Sequence, residues 1–177
     1  RDLYVPPDTD LVETVARLNH HLFTNLGFRG DEDQFDDPEN SMLDAVIEHR
    51  KGLPILLSAV MMIAAERIGL KLNGIGFPTH FLVGPAEALP RFFIDPFNGG
   101  RILRTEQLER WFQRISDRTG DRMPPLSWWL KPTSSRHMLS RMNNNLKNSY
   151  LRRNDLNGAL RCVERLLILT PEAIEAR

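Results

Sequence analysis

Apolar residues recur along this chain with two different periods. Between Asp8 and Leu26, the residues Leu11, Val15, Leu18 and Leu22 fall three and four apart, which puts them on one face of a helix. Asp8 or Thr9 can cap that helix, and Gly27 ends it. Met42, Leu43, Val46 and Ile47 predict a shorter helix, with Ser41 as cap, Asp44 three residues on, and Gly52 as its end. Leu53 to Ile68 is apolar on nearly every side, the pattern of a helix surrounded by protein. Pro54 suits its first turn, where a missing N–H costs nothing, and Gly69 closes it. The period then shortens. KLNGIGF, HFLVG and RFFID are strand-like runs broken by Pro78, Pro85 and Pro90, and Asn98-Gly99-Gly100 is a turn before a returning RILR. Helical spacing resumes at Thr105 with Leu108, Trp111, Phe112 and Ile115.

The pattern predicts an α+β fold: a helix-rich core with a small antiparallel sheet over residues 1–122, a proline-rich link over 123–133, and an α-helical segment over 134–177. In the last segment Met138, Met142, Leu146 and Tyr150 recur every four residues. Leu146, Tyr150, Ala159 and Pro171 fall at the offsets of a tetratricopeptide repeat, with Asn143 where that consensus has tryptophan. The small Ala159 would let two helices approach closely. One such unit cannot bury its own face, so further repeats are expected to follow residue 177.

Composition narrows the picture only a little. With 41% hydrophobic and 26% charged residues, the chain is ordinary globular material with a formal net charge of zero, which argues against chain-wide attraction to nucleic acid or membrane. The charge is unevenly spread, however: residues 1–100 carry 8 Lys/Arg against 15 Asp/Glu, and residues 101–177 carry 15 against 8. Two solvated faces of opposite sign, or a basic half that meets an acidic partner, would both produce this. The lone Cys162 excludes an internal disulfide and a Cys-x-x-Cys metal site, and fits a reducing, cytoplasmic setting. No apolar run approaches bilayer length. RDLYVPPDTD has neither a signal-peptide pattern nor a starting methionine, so the chain reads as a fragment trimmed at both ends. The loop carrying Asp31, Glu32, Asp33, Asp36, Asp37 and Glu39 fails the calcium-loop spacing, because Phe35 occupies a ligand position. It reads as a solvated acidic loop, and neither a metal nor a cofactor is expected.

The candidate chemistry lies in an order of elements. A glycine-containing turn starts the buried helix, His80 opens one strand, and Asp95 ends another. Neighbouring strands would set the two side chains together, with Asp95 orienting the imidazole towards the helix N-terminus. Cysteine hydrolases and acyltransferases need this arrangement to activate a thiol and to stabilise an oxyanion.

The stretches NSMLDAVIEHRKGLPI, GFPTHFLV, FIDPFNGG and NNLKNSYLRRND together resemble the transglutaminase-like superfamily. More narrowly they are similar to its bacterial SirB-type branch, in which a transglutaminase-like core is followed by tetratricopeptide repeats. The likeness runs over about residues 10–170 and is densest over 37–100. It implies a cysteine, histidine and aspartate triad, with His80 and Asp95 matching two members. The family cysteine stands near the start of the long helix, 15 residues before the glycine that ends it, where this chain has Pro54. Ser58 lies one turn, about 6 Å, further in. Glu48 and His49 border the expected cleft, and Ser58 joins them as a candidate ligand-binding group. His20, His21 and His137 read as surface or capping groups, and Cys162 as a small buried apolar residue.

The expectation is a non-catalytic protein, acting as an interaction or regulatory module that binds a protein or peptide through its tetratricopeptide-like segment. One alternative is a hydrolase or acyltransferase of altered mechanism with His80 as general base. A second is nucleic-acid binding through the basic half.

Overall fold

The computed structural model describes residues 3, 5, 6, 8–87, 90–119 and 123–171. Helix α1 (Leu11–Asn19) continues through a wider π-type stretch, His20–Asn25. A two-residue strand β1 (Arg29–Gly30), a 3-10 turn (Pro38–Ser41), α2 (Leu43–His49) and β2 (Lys51–Gly52) lead into α3 (Pro54–Arg67). The strands β3 (Leu72–Ile75), β4 (Leu82–Pro85), β5 (Phe93–Asp95) and β6 (Arg101–Leu103) form an antiparallel meander in chain order. Helices α4 (Thr105–Thr119), α5 (Leu126–Trp129), α6 (Ser135–Arg152) and α7 (Leu156–Leu169) complete the chain. Among the described residues no helix is long and apolar enough to cross a membrane.

Helix α3 is the hub. Ile55, Leu56, Leu57 and Met61 are at most 2% exposed, and each such side chain contributes roughly 1.5–3 kcal/mol by leaving water. Around them pack Val15, Leu18 and Leu22 of the first helix, Val46 of α2, and Phe81, Val83 and Ile94 from one face of the sheet. The other face, with Ile75, Leu82, Phe93 and Leu103, is covered by Leu108, Trp111, Phe112 and Ile115 of α4. The alternation of a two-sided sheet therefore divides the apolar residues into two cores.

Several local expectations are corrected. Asp10, not Asp8 or Thr9, caps α1, accepting from the Glu13 N–H at 2.9 Å. Ser41 does not cap α2. It ends the preceding 3-10 turn, Met42 takes the cap position without a side-chain bond, and the Ser41 hydroxyl is buried without a partner. Gly52 does not end α2 either. Arg50 turns the chain in the left-handed region (φ 60°) and frees Lys51–Gly52 to pair in parallel with Arg29–Gly30. Gly52 is needed there for space, since a Cβ would lie 2.7 Å from the Val46 side chain.

The 123–133 segment runs against the sheet. Leu126 and Leu130 pack on the α4 side of the core, Pro132 bridges Ile75, and the Thr133 N–H donates to the Gly74 carbonyl at 2.8 Å. Beyond it α6 and α7 form a tight antiparallel pair. Gly158 and Ala159 are both buried there, and a Cβ at Gly158 would sit 2.7 Å from the Tyr150 ring. Asn143 reaches across the pair to the Cys162 carbonyl at 2.5 Å. Ion pairs from Arg152 to Asp36 and from Arg153 to Asp37 tie the end of α6 to the acidic loop. Part of the charge asymmetry between the two halves is thus neutralised inside the molecule.

Candidate functional site

Adjacent strands bring His80 and Asp95 together. The antiparallel β4–β5 pairing aligns Val83 with Ile94, so the residues just before β4 lie beside the end of β5. The His80 Nε2 is 2.8 Å from the Asp95 Oδ1, and their side chains are 10% and 3% exposed. Thr79, just before His80, has φ 59°, a left-handed conformation uncommon for a β-branched residue. Asp95 also accepts from the Asn98 N–H at 3.3 Å and the Asn98 Nδ2 at 2.7 Å. The imidazole lies between Phe97, with ring centroids 5.9 Å apart, and Trp111, at 5.0 Å. Phe97 in turn covers Gly30, where a Cβ would come within 2.6 Å of its ring.

A residue missed in the sequence reading supports the pair from behind. Arg141 of α6 donates to the His80 carbonyl at 3.1 Å and lies 5.2 Å over the Phe81 ring. Burial pushes its guanidinium below the ordinary arginine value. No local motif signals it, because 61 residues separate the two partners.

The helix start offers little to a reacting group. Pro54 is buried at the first position of α3 and has no N–H. The Leu53 N–H is bound to the Asn40 carbonyl at 3.1 Å, and the Leu56 and Leu57 N–H groups turn back to the Leu53 carbonyl. Ser58 is fully buried and its hydroxyl has no partner. Cys162 is buried in α7; burial pushes its thiol above the ordinary value, against the opposing charges of Arg165, Arg161 and Lys147. Glu48 is exposed on α2. His49 lines a separate cleft of about 280 Å³ with Asp31, Asp37 and Glu39, its Nε2 3.4 Å from the Glu39 carboxylate. The structure therefore pairs two candidates, His80 and Asp95, and places Ser58 in the core and Glu48 and His49 on α2.

A family model described as the transglutaminase-like superfamily matches residues 2–144. The chain belongs to that superfamily. Within it, the chain is 38% identical over 165 residues to a UPF0162 protein of Xylella fastidiosa, a match covering 92% of this chain and 58% of that one. A UPF0162 protein of Vibrio cholerae is 30% identical over 161 residues, covering 90% and 57% respectively. F-box only protein 21 of Mus musculus is 26% identical over 105 residues, which is 55% of this chain and 17% of that protein. The chain thus spans less than two thirds of the length of the UPF0162 proteins it matches. No solved structure matches it.

In this transglutaminase-like core a cleft of about 350 Å³ opens on the aspartate side of the pair. Asp95 and Trp111 lie in its wall, together with Arg101 of β6 and Arg110 and Arg114 of α4. This cleft has no motif of its own in the sequence. Its one local signal is the spacing of Arg110 and Arg114, which puts them on one helix face.

Proposed function

We propose that this transglutaminase-like chain is non-catalytic and works as a protein- or peptide-interaction or regulatory module, arranged as in the SirB-type branch with a tetratricopeptide-like unit over 134–177. A cytoplasmic setting belongs to the same proposal. The observation that carries it is the start of α3: where the resemblance calls for the cysteine, the helix begins on buried Pro54, which supplies neither a sulfur nor an N–H. Two further observations support the reading. The hydroxyl of Ser58 and the thiol of Cys162 are both enclosed. The imidazole is held between two aromatic rings and bonded through Nε2 to a carboxylate that Asn98 also occupies.

On this reading, His80 and Asp95 are structural. They form a buried polar pair that closes the β4–β5 end of the sheet, satisfied by its own hydrogen bonds. Binding falls to the helical segment, whose α7 presents Leu156, Leu160, Val163 and Leu167 outward at helical spacing.

The test is a hydrolysis and acyl-transfer assay of the full chain on a panel of fluorogenic amides, beside His80→Ala. Equal signal from both proteins is expected. Turnover by the unaltered chain that disappears in His80→Ala would overturn the proposal and establish the alternative, with His80 as general base in the 2.8 Å pair.

A further inference from the structure

We propose that the cleft beside Asp95 is a binding site for a small dianion, a phosphate ester or a dicarboxylate, gripped by Arg101, Arg110 and Arg114. This goes beyond the non-catalytic reading and does not depend on it, because the cleft opens on the aspartate side of the pair and none of its lining residues belongs to α3.

The first observation is a charge imbalance. Three guanidiniums and one carboxylate line the same cleft. Among the described residues, every ion pair involves other cations: Arg17, His49, Lys51, His80, Arg152 and Arg153. No carboxylate of a described residue therefore lies within 4.0 Å of Arg101, Arg110 or Arg114. Nor does any of the three donate a side-chain hydrogen bond to a described residue. Their neighbour Asp95 lies more than 4.0 Å from each of the three guanidiniums, and one carboxylate against three guanidiniums leaves the cleft with a surplus of positive charge.

The second observation is convergence. Strand pairing puts Arg101 directly opposite Asp95, at the rim of the sheet. Arg110 and Arg114 are one turn apart on α4, the helix that covers that face of the sheet. Three like charges brought to one concavity repel one another, and an anion relieves that repulsion. Guanidinium is the group best suited to the task, because its planar fork meets two oxygens of a carboxylate or phosphate at once.

The third observation is shape. A volume of about 350 Å³ is at the small end of the range for ligand pockets, and suits a metabolite-sized molecule rather than a docked protein segment. Trp111 supplies an apolar wall, and the amides of Asn98 and Gln107 add polar groups at the edge.

The full chain, labelled with 15N, is titrated in low-salt buffer with phenyl phosphate, inorganic phosphate and succinate while the Trp111 indole N–H resonance is followed. A saturable shift is expected, weakened at least tenfold in R110Q/R114Q and in R101Q, and unchanged in R118Q, which lies on α4 outside the cleft. Stronger binding of the phosphates assigns a phosphate ester, and stronger binding of succinate assigns a dicarboxylate. Either result supports the site. The proposal is overturned if no probe moves the Trp111 signal, if R110Q/R114Q binds as the unaltered chain does, or if only a polyglutamate peptide binds. All three arginines are exposed, and unaltered thermal melts of the variants will show that loss of binding is not loss of fold.

Discussion

Helices α3 and α7 are the same length, 14 residues each, and both are rich in aliphatic side chains. Their surroundings differ. Helix α3 is enclosed by α1, α2 and the sheet, so residues on nearly every side of it are buried. Helix α7 buries Gly158, Ala159 and Cys162 against α6 and leaves Leu156, Leu160, Val163, Leu167 and Ile168 between 38% and 79% exposed. Apolar content thus has two outcomes in one chain: in α3 it builds the platform of the fold, and in α7 much of it faces outward. On the proposed reading of the chain as an interaction module, this outward stripe is the surface that a partner would cover.

That contrast can be broken or sharpened experimentally. The largest effect is expected from Met61→Ala at the fully buried centre of α3, which should lower stability by about 2–5 kcal/mol in urea unfolding. A loss below about 1 kcal/mol would mean that α3 is not the hub. Next comes Gly158→Ala, whose Cβ would meet the Tyr150 ring and prise α7 from α6. It should cost about 1–3 kcal/mol by overpacking, and an unchanged melt would show that the pair is looser than the structure has it.

A smaller effect is expected from Arg153→Ala, which removes a partly exposed ion pair worth up to about 1 kcal/mol. The pH dependence of this pair has a definite sign. Burial would raise the Asp37 carboxyl, but the Glu39 N–H and Arg153 outweigh it and hold the group below its ordinary value. A depressed carboxylate contributes stability that is present above its ordinary unfolded value, near 4, and is lost as pH falls through the lowered folded value. Arg153→Ala should therefore flatten the acid limb of the stability curve, and an identical acid limb would remove Asp37 as its source. The smallest stability change belongs to Leu160→Ser on the exposed stripe, within about 0.5 kcal/mol. The same substitution should reduce the tendency of the chain to associate in light scattering. A large stability loss would make α7 a core helix like α3.

Much of the platform was legible in the sequence, for a physical reason. Helix α3 lies within one residue of the expected span, because an apolar run closed by a glycine has one economical conformation. The His80–Asp95 contact was readable because β4 and β5 are consecutive strands and pair as neighbours. What stayed hidden depends on backbone detail or on distance along the chain. The β1–β2 ladder has two residues per strand, too few for any period, and rests on Arg50 adopting a glycine-like conformation. Ser41 has the chemistry of a cap, but Pro38 starts a 3-10 turn that consumes it. Arg101 meets Arg110 and Arg114 only once β6 has folded beside α4, and Arg141 reaches His80 only after α6 has docked.

The bare backbone at Gly30 has a consequence for the histidine far along the chain. Because Phe97 rests on it with no room for even one carbon, residue 30 acts as a shim that sets how deep the ring sits and how wide a slot remains for the imidazole. The N-terminal loop and the imidazole are thus parts of one mechanical fit. Thickening the shim by a methyl group, as in Gly30→Ala, should move the His80 ring without altering any atom of the strands that carry it.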